Sequence, residues 1–197
     1  MASRLSPAAA SCDRSPVTPK ERAGGQNGPV VLTGFGAPIY VDRDLSFKDS
    51  VNHKALAYWQ SKLGSRAMPA RADIDPIEMR AFVTNVALVE VLTDASKAEP
   101  TFRIRLAGTA VEEVFGPLTG RTVAELPKYF ADRWQHLFMA ALTAAAPVRI
   151  TTDVTLENKD HLTAESLIAP LADDGSAVSI LFVCVRFWPQ SRPPNPR

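Results

Sequence analysis

The chain has 197 residues, 46% of them apolar, with 22 Lys and Arg against 21 Asp and Glu. Length and composition fit one domain with tails and an apolar core. The near balance of charge gives no reason to expect nucleic acid or an acidic membrane as partner, and no apolar run approaches the ~18 residues of a membrane span.

Residues 1–29 are rich in Ser, Pro, Gly, Ala and charge. Such a stretch buries too little apolar surface to offset its ordering entropy, so it is expected to be a disordered tail. No apolar run precedes Ser11, Asp13 and Arg14, which argues against a secretory signal and makes the cytoplasm the expected location. Residues 30–46 are ambiguous between a linker and short extended pieces built on Val30, Val31, Leu32, Ile39 and Tyr40.

The spacing of Val51, Ala55, Tyr58, Trp59 and Leu63 predicts an amphipathic helix over 47–63, opened near Ser46 and closed at Gly64. Next comes Arg66-Ala-Met-Pro69-Ala-Arg71-Ala-Asp73-Ile-Asp75-Pro76, dense in stiff and charged residues. Asp75-Pro76 reads as the N-cap and first residue of a short helix to about Phe82. Residues 85–92 and 101–107 read as an antiparallel pair of strands, the second placing Phe102, Ile104 and Leu106 on one face and Arg103 and Arg105 on the other. Two short capped helices begin at Thr109 and Thr122, and a longer one runs over 128–145 with Phe130, Trp134, Leu137, Phe138 and Ala141 on its buried stripe. Strands are predicted over 149–157, 161–171 and 178–187, joined by turns at 158–160 and 173–176.

The last strand is apolar on both faces: Val178, Ile180, Phe182 and Cys184 on one, Leu181, Val183, Val185 and Phe187 on the other. Such a strand belongs in the interior of a sheet shielded on both sides. The central helices can shield one side; the helix over 47–63 or a second copy of the chain is expected on the other.

This order of helix, two strands, helices and three strands resembles a PAS domain. So do Tyr58-Trp59, Arg66-x-x-Pro69-x-Arg71-x-Asp73-Ile74-Asp75-Pro76, Phe102 to Thr109, Leu118 to Thr122 and Pro170-Leu171-x-Asp173-Asp174-Gly175. Together these motifs are similar to the bacterial stand-alone group that domain collections number as the fifth PAS family. The expected fold is α+β: a five-stranded antiparallel sheet with helices on one face and an N-terminal amphipathic helix, over residues 47–188, followed by a tail at 189–197. The resemblance implies a cytoplasmic sensory or regulatory role without an attached kinase. A chain of this length has no room for an output domain, so it is expected to act through a signalling partner or as a homodimer.

PAS folds often hold haem, flavin or small acids between sheet and helices. Haem is disfavoured: His136 falls nearly opposite the apolar stripe of its helix, His53 sits near a helix start and His161 beside a turn. A photoreactive flavin is disfavoured because Cys184 lies in the last strand, outside an Asn-Cys-Arg context. No cofactor is expected, and no metal-ligand spacing occurs. A small organic ligand stays open, with Ile104, Leu106, Phe115, Leu118, Leu126, Phe130, Trp134, Phe138 and Phe182 as candidate pocket lining; the alternative is that they simply fill the core.

Arg66, Arg71 and Asp73 form either a structural network or an anion site, the former being favoured because Asp73 would neutralise an arginine. Tyr58 and Trp59 are the candidate partner surface. Arg103 and Arg105 are expected to pair across strands with Asp153 and Glu157. No nucleophile–base constellation or nucleotide-binding motif occurs, so the chain is not expected to be an enzyme. The alternatives are a ligand-free dimerisation adaptor and an NTF2-like enzyme or carrier.

Overall fold

A computed structural model describes residues 21–22, 29–34, 36–154, 156, 159, 162–173 and 177–190. The strands are β1 (Glu21–Arg22), β2 (Val30–Leu32), β3 (Ile39–Asp42), β4 (Val86–Leu92), β5 (Thr101–Ala107), β6 (Val148–Asp153), β7 (Leu162–Leu171) and β8 (Ile180–Pro189). The helices are α1 (Ser50–Ser61), α2 (Thr109–Phe115) and α3 (Lys128–Ala144). All eight strands join one sheet in the order β1-β2-β3-β6-β7-β8-β4-β5, and every neighbouring pair is antiparallel.

The five expected strands form a contiguous block, β5-β4-β8-β7-β6. The sheet is nevertheless larger than expected, because β1, β2 and β3 extend it beyond β6. Residues 30–46 thus contain two strands, and Glu21–Arg22 pair with β2 from within the stretch read as tail. The physical reason is the free edge of β6. Ile39 and Val41 bury their side chains in the core while their backbone pairs with that edge. Of the expected turns at 158–160 and 173–176, residues 158, 160 and 174–176 lie outside the described residues, as does Glu157.

β8 lies inside the sheet between β7 and β4. Ile180, Phe182 and Cys184 point into a cluster with Ala55, Trp59, Met79 and Phe82, whereas Leu181, Val183 and Val185 point into a cluster with Phe130 and Phe138. The sheet therefore carries a core on each face. Within the chain α1 packs on β7 and β8 from one side, and α3 packs on β5, β7 and β8 from the other.

Local structure departs from the expectations at four places. α1 begins at Ser50, because Asp49 rather than Ser46 is the N-cap and accepts from the Val51 N–H. The stretch after Pro76 is a run of turns closing in a 3₁₀ turn at Val83–Asn85 rather than a helix, although Asp75 Oδ1 does accept from Ile77 N. Gly108 takes the N-cap position of α2 without a side-chain bond, so the capping box expected at Thr109 is not formed. A Cβ at Gly108 would collide with the Thr84 carbonyl, so that close approach requires glycine.

The fourth departure is a bulge in the β4–β5 pair. Leu88 is opposite Leu106 but Val89 is opposite Ile104, which leaves Arg105 as an extra residue. The bulge reverses the facing of side chains along β5. Ile104 joins the α3-side core and Leu106 packs on the α1 side. It also brings Arg103 and Arg105 together on Glu90, at 2.5 and 2.8 Å. They do not pair with Asp153, whose Oδ1 instead accepts from Thr163 Oγ1. Burial alone would push the Glu90 carboxyl up, but its bonds to the two arginines bring it below the usual glutamate value.

Candidate functional site

α2 and α3 do not seal completely onto the sheet. A cavity of about 90 Å³ lies between them. Its sheet wall is Ala87 and Val89 of β4, Ile104 of β5, Ala164, Ser166 and Ile168 of β7, and Val183, Val185 and Phe187 of β8. Its helical wall is Val111 and Phe115 of α2, Leu118 of the following loop, and Phe130, Arg133, Trp134, Leu137 and Phe138 of α3; Thr152, Asp153 and Val154 close one side.

Phe115 organises the helical wall. Its ring meets Trp134 edge-on at 5.0 Å and Phe187 at 5.7 Å, tying α2 to α3 and to β8. Leu118 is positioned by Glu112, whose carboxylate accepts from Leu118 N, Thr119 N and Thr119 Oγ1. Those backbone donors hold Glu112 below the usual carboxylate range. Thr122 and Glu125 form the expected capping box of the next turn.

Six of the nine candidate lining residues stand on this wall: Ile104, Phe115, Leu118, Phe130, Trp134 and Phe138. Three do not. Leu106 is turned to the other face by the bulge. Phe182 is opposite Leu88 and Ala169, and all three belong to the α1-side core. Alternation along β8 was readable, but both of its faces are apolar, so nothing in the pattern says which one meets α3. Leu126 packs in the α3-side core but borders a separate surface cleft with Val123 and Ala124.

The residue that sequence reading missed is Arg133. It is only 3% exposed, yet it lies on the cavity wall. Nη1 donates to the Ala37 carbonyl, and Nη2 donates to Thr152 Oγ1 and to the Asp153 carbonyl. The hydroxyl of Thr152 in turn donates to the Pro38 carbonyl. Arg133 thus fastens α3 to β6 and to the chain entering β3. Burial pushes its guanidinium down from its ordinary value, and the charge of Asp153 opposes that shift. A signal existed: Arg133 follows Phe130 by three and precedes Leu137 by four, inside the apolar stripe.

The other candidates are placed elsewhere. Arg66 Nη2 donates to Asp73 Oδ2 at 2.6 Å and to the Lys62 carbonyl, closing the end of α1. Asp73 also accepts from Ala70 N; that bond, then Arg66, lowers its pKa. Arg71 Nη1 donates to the Ile74 carbonyl. These bonds are all internal to residues 62–74. Trp59 is 3% exposed, and its Nε1 donates to the Pro170 carbonyl. It therefore offers no surface to a partner, because α1 turns that side of the helix onto β7 and β8. Tyr58 is half-buried and its hydroxyl accepts from Asp75 N. His136 bonds the Asp132 carbonyl and is absent from the cavity wall. Cys184 is buried and its thiol is pushed up to about 12, chiefly by desolvation.

Among the described residues, no group of His, Cys, Asp and Glu is arranged to hold a metal ion, and no helix is long and apolar enough to cross a membrane. No curated protein and no solved structure gives a significant match to the chain. Residues 47–185 match the family model described as PAS domain, in the group to which the sequence motifs pointed. That stretch carries α1, β4 to β7 and β8 as far as Val185, and all of the cavity wall but Phe187, and the chain belongs to the PAS domain family.

Proposed function

We propose that the chain is a sensory or regulatory module of bacterial signal transduction, taking a small ligand between the sheet and α2–α3 and acting through a protein partner or a second copy of itself. The observation that carries this reading is the apolar cavity with a buried arginine on its wall. Membership of the PAS family supports a sensing role. Arg133 supports a route outward, because the guanidinium on the cavity wall also holds the Ala37 carbonyl. A ligand that moves α3 or competes for Arg133 is then felt at β3 and the strands beyond it. The reading is non-catalytic and cytoplasmic, and haem and flavin have no place in it. Arg66, Arg71 and Asp73 serve as a structural clasp behind α1.

A second reading, a dimerisation adaptor without ligand, is favoured by the size of the cavity. At about 90 Å³ it is well below the ~300 Å³ of ordinary ligand pockets. Native mass spectrometry of the purified chain separates the two. An adduct of small mass on a monomer or dimer is expected for the sensor. A dimer that stays empty after exposure to cell extract favours the adaptor, and an empty monomer that captures no protein from that extract sinks both.

A further inference from the structure

Five aromatic rings make one contiguous surface at the C-terminal end of β8. Phe187, Phe115, Phe130 and Tyr129 form a row, with successive ring centroids 5.7, 5.9 and 4.1 Å apart. Trp134 stands 5.0 Å from Phe115 and 5.9 Å from Phe130. Phe115, Trp134 and Phe187 are only half-buried, and Tyr129 is 45% exposed. Two polar handles are left over. Trp59 Nε1 donates to the Pro170 carbonyl, whereas neither Trp134 Nε1 nor the Tyr129 hydroxyl makes a hydrogen bond among the described residues. Exposed rings with free donors suit a ligand that is apolar and rich in acceptors.

A proline-rich segment has those properties. A polyproline II backbone has no internal hydrogen bonds, so its carbonyls are free to accept, and its pyrrolidine rings dock in aromatic-lined grooves. A helix would bring carbonyls already spent on its own N–H groups. An added strand needs an unpaired edge, and β8 lies inside the sheet. The chain itself carries a fitting segment. Ser191-Arg-Pro-Pro-Asn-Pro-Arg197 starts four residues after Phe187, which stands at one end of the row. Pro193 and Pro196 fall one polyproline II turn apart, ~9 Å at ~3.1 Å per residue, comparable to two steps of the row. A tether this short sets an effective concentration on the order of mM. We propose that the aromatic row docks a proline-rich segment in polyproline II form, and that residues 191–197 of the same chain occupy it. This surface does not depend on whether the cavity behind the rings takes a ligand. A partner that reaches this end of the molecule through a proline-rich segment of its own has to displace the tail.

The test compares the full chain with one ending at Gln190, a deletion that leaves β8 whole. Indole N–H resonances are read by NMR, with Trp134 reporting on the row and Trp59 on the fold. The deletion is expected to shift the Trp134 resonance and leave that of Trp59 in place. A synthetic peptide of residues 189–197, added to the shortened chain, is expected to move it back. The same peptide carrying Pro193→Ala, Pro194→Ala and Pro196→Ala should bind at least about five-fold more weakly. Tyr129→Ala, which is outside the cavity wall, should weaken the unaltered peptide by a similar factor, the loss expected of an anchoring ring. An unmoved Trp134 resonance overturns the proposal. So does a shift that the peptide fails to reverse, which reports only the loss of a neighbouring segment. Equal binding of the alanine peptide overturns the polyproline II reading. A shift that vanishes on dilution, together with a dimer that the shortened chain does not form, overturns the intrachain arrangement and assigns the row to the tail of a second copy.

Discussion

On the α1 face of the sheet, Trp59, Met79 and Phe82 cluster with Leu88, Leu167 and Phe182, and polar groups lock the layer in place. Trp59 bonds the Pro170 carbonyl and Asn52 the Glu165 carbonyl, while the Glu165 carboxylate takes the Lys48 N–H. On the α3 face the residues are just as apolar, yet Phe130, Trp134 and Phe138 arch over Ile168 and Val183 and leave a void. One strand, β8, supplies both floors. The difference therefore lies in what is laid on the sheet, not in the sheet. A face closed by a helix bonded to strand carbonyls acts as a foundation; a face closed by aromatic rings meeting edge-on retains room for something else.

That contrast can be broken most directly at the two tryptophans. Trp59→Ala is expected to cost about 3–5 kcal/mol, the range for truncating a large buried aromatic, and to leave the Pro170 carbonyl without its donor. Trp134→Ala should cost less, because Trp134 is half-buried and already borders empty space. Urea unfolding of both variants checks this, and an equal loss would erase the distinction. Next in size is Glu165→Ala. Glu165 is 0% exposed, and Arg149 Nη1 stands 3.9 Å from it. Removing one member of a buried charged network costs about 3 kcal/mol or more. Glu165→Gln, which keeps an acceptor for Lys48 N, should recover part of that loss in the same assay.

A finer test uses two alanines of one strand. Ala169 is fully buried on the α1 face, whereas Ala164 lines the cavity. Ala169→Val is expected to destabilise by about 1–3 kcal/mol through overpacking. Ala164→Val adds the same two methyl groups into open space and should be neutral or stabilising by roughly 0.5 kcal/mol. Melting temperatures that fall by the same amount in both would mean that the α3 face is as full as the other.

Much of this arrangement was legible because periodicity reports burial. The doubly apolar β8 announced its interior place, and the stripe of α1 announced the layer over the second face. What escaped depended on facts that periodicity does not carry. The extra residue at Arg105 reverses facing along β5, and no residue type marks it, so Leu106 was placed on the wrong wall. The choice of face for Phe182 had no signal at all. Trp59 was read as a docking surface because an aromatic on an amphipathic stripe looks alike whether it meets its own sheet or a partner. Arg133 escaped because a cation in an apolar stripe is ordinarily read as snorkelling to solvent. Here the carbonyls of Ala37 and Asp153, distant in sequence, receive it instead. The Ala37 carbonyl comes within reach only once β3 has been added to the edge of β6.

The smallest expected effect concerns the wall rather than the floor. Glu112 pins the loop that brings Leu118 to the cavity, and the Leu118 and Thr119 N–H groups hold its pKa below the ordinary value of 4.5. A carboxylate depressed on folding contributes stability that is present above its unfolded pKa and is lost as pH falls through the folded one. Glu112→Gln should therefore melt below the unaltered chain at neutral pH. The gap should close as pH drops from near 4.5 to below the lowered value. Because Glu112 is at the surface, the gap is expected to be small, and calorimetric scans at neutral and acid pH measure it. A gap that stays constant across that range would mean that the amide replaces the carboxylate's bonds no better when both are neutral, and that Leu118 is held in place by packing rather than by the charge of Glu112.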